Sequence, residues 1–586
     1  MQVAVSRRAI SRLGIIAALA LLGSLLFVGP SLAKSPAHDR FTPSASDQGT
    51  GESSDATDTR DPAHFDDDEA LAHPVTGAAS LFSQCRFAPF AGVTNLYPAL
   101  APNEHDVINA DTDFPFADGT SCFNPQNEQN IVVNPTNRDN VVTSANDYRG
   151  VGTCEAYVSM NGGSTWSDHI MGGWTFFDAA KGQFVKTGCG GDPVLAFGPD
   201  GTLYYVGLTF NLDKFPREMS GVAVTKSTDG GVSWSRPVMI DANATGNFFY
   251  DKPWISVGPD GTVTVTWTKF YQGPRGLSYL QSPIVISQSR NGGKSWSSVK
   301  RVSDASHPFD QGSISASAPD GTLYVMYQAG DPDTGYSTDA IVMARSTDGG
   351  TTFTQGKVAR QYDDFDCYPI QLPGGQDRQT LSGEQFRLPV NPSFAIDPTS
   401  GKLAIAWADD QGVGSCGTGA SSFSGGPTSN QVKVATSTDG SSWNVQHITS
   451  SAPDKWFASV GYNAGVLAVG YETRDYATTP NDPLCEAVVR DPTTLETTVL
   501  NDGENVCYDQ AVRLSTDDGA SWSSQVRISS VSSNPYNSFA GSFIGDYEGT
   551  AVDDQGKIYT VWTDNRGKPG VTPANQDTYV GTLPAG

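Results

Sequence analysis

Three arginines occupy comparable places along the chain, in Asp147-Tyr-Arg149, Glu472-Thr-Arg-Asp-Tyr476 and Asp564-Asn-Arg566. Guanidinium forks brought together from separate loops can hold a carboxylate in fixed geometry. Arg149, Arg474 and Arg566 each have an aspartate close by in the chain: Asp147, Asp475 and Asp564. A second set of residues lies at or within two positions of the start of a recurring segment: Asp192, Asp251, Asp310, Asn391, Asp454 and Asp546. A ring of such carboxylates could hold a hard cation such as Ca²⁺, or hydrogen-bond sugar hydroxyls. The plainer alternatives are that each Asp caps the turn entering a strand, and that the arginines pair with neighbouring aspartates and do no chemistry.

The elements that must position these residues are repeats. Asp192-Pro-Val-Leu-Ala-Phe-Gly-Pro-Asp-Gly-Thr-Leu-Tyr-Tyr-Val206 returns as KPWISVGPDGTVTVTW from Lys252, GSISASAPDGTLYVMY from Gly312, NPSFAIDPTSGKLAIAW from Asn391 and WFASVGYNAGVLAVGY from Trp456. Weaker copies run over 128–146 and 547–562. Each is two short runs of β-branched and aromatic residues around a glycine turn, which predicts a hairpin. Between these copies stands an octet, STDGGVSW from Ser227, with versions at Ser159, Ser289, Ser346, Ser437 and Ser515. Starts are between 57 (346−289) and 91 (437−346) residues apart, the scale of a repeat architecture. Asp or Asn before Gly-Gly makes a turn whose carboxylate caps amides and whose glycines take positive φ, and the aromatic that follows can be buried between strands.

The S-x-D-x-G-x-x-W pattern resembles the Asp box, or BNR repeat, of sialidases and related β-propellers. The resemblance implies that the boxes lie on the face away from any catalytic centre and serve structure. Sialidases pair an arginine triad with a carboxylic acid that protonates the leaving group and a tyrosine nucleophile. On that likeness Arg149, Arg474 and Arg566 would form the clamp, one of Asp147, Asp475 and Asp564 the acid, and one of Tyr148, Tyr476 and Tyr547 the nucleophile. Gln385-Phe-Arg-Leu-Pro389 is similar to the family's Phe-Arg-Ile/Leu-Pro motif, which adds Arg387 as a substrate-binding candidate. It departs from the family in introducing the fifth repeat rather than an early one. Its Pro389 also precedes by three residues Pro392, the proline that matches Pro193.

A hairpin followed by an octet hairpin makes four strands, the blade of an all-β propeller. Seven first hairpins against six octets predict seven blades, the last completed by a strand from 81–130; the six blades of true sialidases are the alternative. In such a meander the octets and the Pro-Asp-Gly turns share one face. The loops after each second strand and the crossovers share the other, where both candidate sets fall.

Residues 1–33 read as a signal peptide, with Arg7, Arg8 and Arg12 ahead of an apolar run at 13–28 and small residues at Ser31 and Ala33. Ser6-Arg-Arg-Ala-Ile10 admits a twin-arginine variant of that signal. Residues 34–80, rich in Ser, Thr, Asp and Pro, read as a disordered spacer, and 81–586 as the propeller. Eight cysteines without a CxxC pair predict disulfides in an exported chain, with neighbours in sequence paired. A net charge of −26 speaks against nucleic acid or an anionic membrane as partner, and no later segment is apolar enough to span a bilayer.

The reading that results is a secreted, monomeric, sialidase-like propeller that binds an extracellular glycan or glycoprotein; catalysis stays open, and if the chain is an enzyme it is a sialidase-type glycoside hydrolase. No cofactor is required, with Ca²⁺ a candidate ligand of the acidic ring. The alternatives are a non-catalytic glycan- or protein-binding propeller, and a lyase or hydrolase of neutral polysaccharides, which an acidic channel would suit.

Overall fold

The computed structural model describes residues 101–107, 126–147, 154–170, 174–178, 183–210, 220–243, 247–271, 280–334, 339–361, 381, 386, 388–389, 391–409, 430–490, 497–501, 505–537, 543–567 and 576–584. Their strands form seven four-stranded antiparallel blades of a β-propeller. Blade four is the plainest, with Asp310–Ser317, Leu323–Gly330, Asp339–Ser346 and Thr354–Gln361 in chain order. Blade two adds a fifth strand, Trp174–Asp178, on the N-terminal extension of Gln183–Phe197. Blade six pairs its second and third strands, Val466–Thr473 and Asp509–Ser515, across an inserted hairpin, Ala487–Arg490 with Thr497–Asn501.

Seven blades, and not six, follow from how the ring closes. Blade seven has Gly549–Val552, Ile558–Asp564 and Asp577–Leu583, and its fourth strand is Glu104–Asp106 from the other end of the chain. Glu104 lies opposite Gly581, His105 opposite Val580 and Asp106 opposite Tyr579. This is the closure by an N-terminal segment that the unequal count of hairpins and octets predicts.

Burial is greatest in the second strands and falls toward the rim. Second strands such as Val141–Asp147, Leu403–Asp409 and Ile558–Asp564 are buried at every position. They sit mid-blade with another blade on either face, so they lack the polar alternation of a half-exposed sheet. Fourth strands such as Lys300–Arg301 and Val526–Arg527 are short and partly or fully exposed.

Each octet occupies the turn between third and fourth strands. In the second, Ser227 Oγ donates to Asp229 Oδ1 at 2.6 Å and accepts from Gly231 N at 2.8 Å. Asp229 in turn accepts from Ser233 N at 2.9 Å and Ser233 Oγ at 2.5 Å. Burial works against its charge, but the bonds from Ser227 and Ser233 hold the carboxyl down to about 2. Gly231 sits at φ 103°, where a Cβ would stand 2.8 Å from Val158 Cγ2 of the preceding blade. Trp234 is half-buried and meets Tyr205 edge-on at 5.5 Å. Octets also clasp neighbours: Asn140 of blade one donates to Gly230 O at 3.0 Å, and Lys557 of blade seven to Gly162 O at 2.7 Å.

Two disulfides lie among the described residues, Cys154–Cys189 and Cys485–Cys507, both between neighbours in sequence. Cys85, Cys122, Cys367 and Cys416 lie outside them. Among the described residues no helix is long and apolar enough to cross a membrane.

Candidate functional site at the propeller axis

The first strands of five blades break register at the same place. The breaks fall between Asn127 and Asn130, Gly191 and Val194, Asp251 and Trp254, Gln311 and Ile314, and Trp456 and Ser459. Each bulge carries one residue with left-handed backbone: Glu128, Asp192, Lys252, Gly312 or Phe457, with φ between 45° and 62°. Such φ is costly for a residue with a Cβ and is kept where surrounding pairing imposes it.

The pairing extends this register to the other two blades. Trp254 lies opposite Thr266, Ser393 opposite Ala406 and Gly549 opposite Val561, each beside a buried tryptophan: Trp267, Trp407 or Trp562. Counting back two residues gives Asn391 in blade five and Tyr547 in blade seven. Lys252, Gly312, Asn391, Phe457 and Tyr547 all line a cavity on the propeller axis, to which every blade contributes.

Lys252 and Asp546 form a buried ion pair across this cavity, Nζ to Oδ2 at 2.7 Å, with 7% and 0% of their side chains exposed. The Lys252 ammonium also lies 5.5 Å from the centre of the Tyr547 ring. Its backbone N–H donates to Asp192 Oδ2 at 2.8 Å. Glu548, beside Tyr547, lines the cavity and accepts from Thr563 N at 3.1 Å. Behind it stands Glu472 at the end of a second strand, fully buried. Its carboxyl faces Glu548 and the indole of Trp456. Two facing carboxyls in that setting share a proton. Burial, and then the proximity of Glu548, push Glu472 well above the usual carboxylate range, and burial pushes Glu548 up as well. The cavity thus holds a carboxylic acid that keeps its proton near neutral pH.

Beside this pair lies an aromatic layer made by Trp456, near the start of the strand Lys455–Asn463, and three residues outside the strands. Trp456 meets Tyr508 at 5.5 Å and Phe386 at 6.0 Å, and Phe386 meets Tyr536 at 5.9 Å. Tyr508 OH donates to Thr563 O at 2.9 Å and accepts from Asn565 Nδ2 at 2.8 Å. Burial, reinforced by Glu472, Asp564 and Glu548, raises the Tyr508 pKa, so its phenol stays protonated.

Of the arginine set, Arg474 lies over Trp456 at 5.5 Å and donates to Val506 O at 3.4 Å. Arg566 is 4% exposed and engaged on three sides. It holds Asp564 through Nε at 2.7 Å and NH2 at 2.8 Å, reaches Glu104 Oε1 at 2.8 Å, and stacks 4.2 Å from Tyr579. Glu104 also accepts from Ser530 N at 3.0 Å. Arg566 therefore pins the closing strand to blade seven. Asn565 and Tyr508 link the surroundings of the two arginines into one network. Tyr148, Arg149 and Arg387 lie outside the described residues.

The candidate acids have separate surroundings. Asp564 and Asp409 each accept from the indole of a tryptophan two residues earlier, Trp562 at 3.1 Å and Trp407 at 3.0 Å, because positions i and i+2 share a strand face. Asp147 accepts from Tyr157 OH at 2.6 Å. Asp475 is partly buried, which opposes its charge, but Ser451 at 2.7 Å and Lys455 at 3.0 Å hold its pKa low. Tyr476 stacks with Arg527 at 5.1 Å, while Tyr547 lines the axial cavity.

The six strand-entry residues do not share one register. Asp192 occupies the bulge position, Asp251 and Asp546 precede theirs by one residue, Asp310 by two and Asp454 by three. Asp251 accepts from Gln311 Nε2 at 2.8 Å, and Asp454 from Asn430 N at 2.9 Å. Asp310 is buried, and burial raises its pKa well above the usual carboxylate range against the opposing pull of Ser303 and Ile284. Among the described residues no three His, Cys, Asp or Glu side chains gather as a metal-holding group. Sequence reasoning missed Lys252, Phe457 and Glu548. The proline after Asp192, Lys252 and Asn391 marks the bulge register and could have found the first of them.

No protein-family model and no curated protein matches the chain. Among solved structures, a Hadza microbial sialidase is similar at 14% identity and a TM-score of 0.37, over 76% of this chain and 73% of its own. The α-L-arabinofuranosidase of Fusarium graminearum is similar at 14% identity and 0.37, over 59% of this chain and 88% of its own. Trypanosoma rangeli sialidase is similar at 14% identity and 0.36, over 64% of this chain and 58% of its own. Likeness at this level assigns neither activity nor ligand, and the fold rests on the strand pairings.

Proposed function

We propose that the chain is an exported, sialidase-like propeller that binds an extracellular glycan at the axial cavity of its crossover face. The observation that carries this reading is the convergence of all seven first strands on one cavity lined with mixed side chains, among them Tyr547, Phe457 and the protonated Glu548. A concave site with aromatic walls and a few placed polar groups suits a sugar. The octets' likeness to Asp boxes supports the same reading from the sequence. Export is supported by the N-terminal apolar run and by the disulfides at Cys154–Cys189 and Cys485–Cys507.

Hydrolysis is the second reading, favoured by Glu548, since a carboxyl that keeps its proton near pH 7 is what a leaving-group donor needs. A sialidase-type clamp would have to be assembled from Arg474 with Arg149 and Arg387, because Arg566 is committed to Asp564 and Glu104. The test is a panel of chromogenic glycosides together with a glycan array. Turnover that falls at least about a hundredfold in Glu548→Gln, within the usual range for loss of a general acid, supports hydrolysis. Array binding without turnover supports a binding propeller, and neither signal removes both readings.

A further inference from the structure

The charges around the axial cavity bear on which sugars it can accept, given the reading that it takes a glycan. Lys252 is the one lysine or arginine lining it among the described residues, and its ammonium is answered by Asp546 at 2.7 Å, both side chains buried. A second carboxylate, Asp192, holds the Lys252 backbone N–H. Arg566, in the surrounding network, is held by Asp564 and Glu104. Among the described lining residues an anionic sugar would therefore lose water beside Asp546 and Asp192 and meet no cation that is not already paired, and a buried charge without a partner is strongly disfavoured.

The remaining lining has a different character. Ser313 is 1% exposed, and its hydroxyl has no hydrogen-bond partner among the described residues. Asn391 lines the cavity and donates through Nδ2 to Asp546 O at 3.2 Å. Trp254, Phe457 and Tyr547 supply aromatic surface. Hydroxyls both donate and accept, so they match a wall of mixed donors and acceptors, while the C–H faces of a sugar ring pack on aromatic rings. We propose that the axial cavity is selective for an uncharged sugar and discriminates against sialic and uronic acids.

The experiment is calorimetric titration of the intact protein with matched neutral and acidic oligosaccharides: lactose and xylobiose against 3′-sialyllactose and digalacturonate, extended to a wider set of both kinds. A neutral sugar should bind at least about tenfold more tightly than any acidic one. Ser313→Ala should weaken that binding about fivefold, the size of one hydrogen bond. Asp546→Asn, which releases the Lys252 ammonium, should raise affinity for the acidic sugars. Should that variant misfold, Ser313→Ala and the wild-type preference still decide the matter. Acidic sugars binding as tightly as neutral ones would overturn the selectivity and leave the glycan reading standing. No binding across the whole set would overturn both.

Discussion

On one face of the propeller the octet turns repeat one pattern, a seryl Oγ bonded to an Asp or Asn two residues on and to a glycine amide. On the other, seven axial positions share a backbone register but no side-chain type. At Ser227, Ser346 and Ser515 the seryl Oγ accepts the amide of the glycine four residues on, at 2.8, 2.9 and 2.8 Å. At the axis the equivalent residues are Glu128, Asp192, Lys252, Gly312, Asn391, Phe457 and Tyr547. A turn that staples itself and grips its neighbour solves one structural problem, and closely similar residues solve it each time. The bulge also solves one problem, bending the innermost strand, but it leaves the side chain free to vary. Repetition marks what holds the ring together, and variation at a constant register falls at the proposed ligand site.

This contrast can be broken most strongly at the ring closure. Arg566→Ala strands Asp564 and Glu104, both fully or nearly fully buried, and should cost about 3–5 kcal/mol. Chemical denaturation measures it, and hydrogen exchange should loosen first along Asp577–Leu583. A loss below about 1 kcal/mol, the size of a surface pair, would mean the closing strand is not held by this residue.

Next in size is Trp234→Ala. Full burial of a tryptophan would set the loss at about 3–5 kcal/mol, and half-burial brings it to about 2–3 kcal/mol. Glycan affinity should not change. A fall in affinity with the denaturation midpoint unmoved would reverse the roles assigned to the two faces.

A pH series separates the faces by sign. Glu472 and Glu548 have pKa values raised in the folded protein, Glu548 to about 8, so the native state holds more protons than the unfolded chain above the ordinary value of 4.5. Their contribution is present at low pH and lost as pH rises through that window, by up to about 1.4 kcal/mol per pH unit for each group. Glu548→Gln should flatten part of this alkaline decline in Tm. If the mutant's Tm follows the wild-type slope, the shared proton is elsewhere.

The smallest effect belongs to the octets. Asp229 is held down to about 2 from 3.8, so its contribution is present above the ordinary value and lost as pH falls toward 2. The group is largely exposed and screened. Asp229→Asn should therefore remove only a slight acid-limb fall in Tm, while leaving the alkaline limb untouched.

The sequence by itself determined the architecture. Hairpin and octet repeats are local patterns, written in β-branched runs and glycine turns, and the mismatch between seven hairpins and six octets required a strand from the far end of the chain. Glu104–Asp106 against Asp577–Leu583 is that strand. Neighbour pairing holds for Cys154 with Cys189 and Cys485 with Cys507, but only the second pair closes a single inserted loop; the first joins the third strand of blade one to the first strand of blade two. Tertiary structure alone decided which charges are spent. Arg566 and Arg474 look alike in sequence, but one is consumed by Glu104, a residue 462 positions away. Lys252 reads as an unremarked lysine before a proline until Asp546, 294 positions on, is brought to 2.7 Å. The acidic ring failed to share a register because one residue of strand offset turns a side chain to the other face, and composition carries no record of offset. Local pattern fixes how each blade folds; the partner of a buried charge depends on chain segments that meet only when the ring closes.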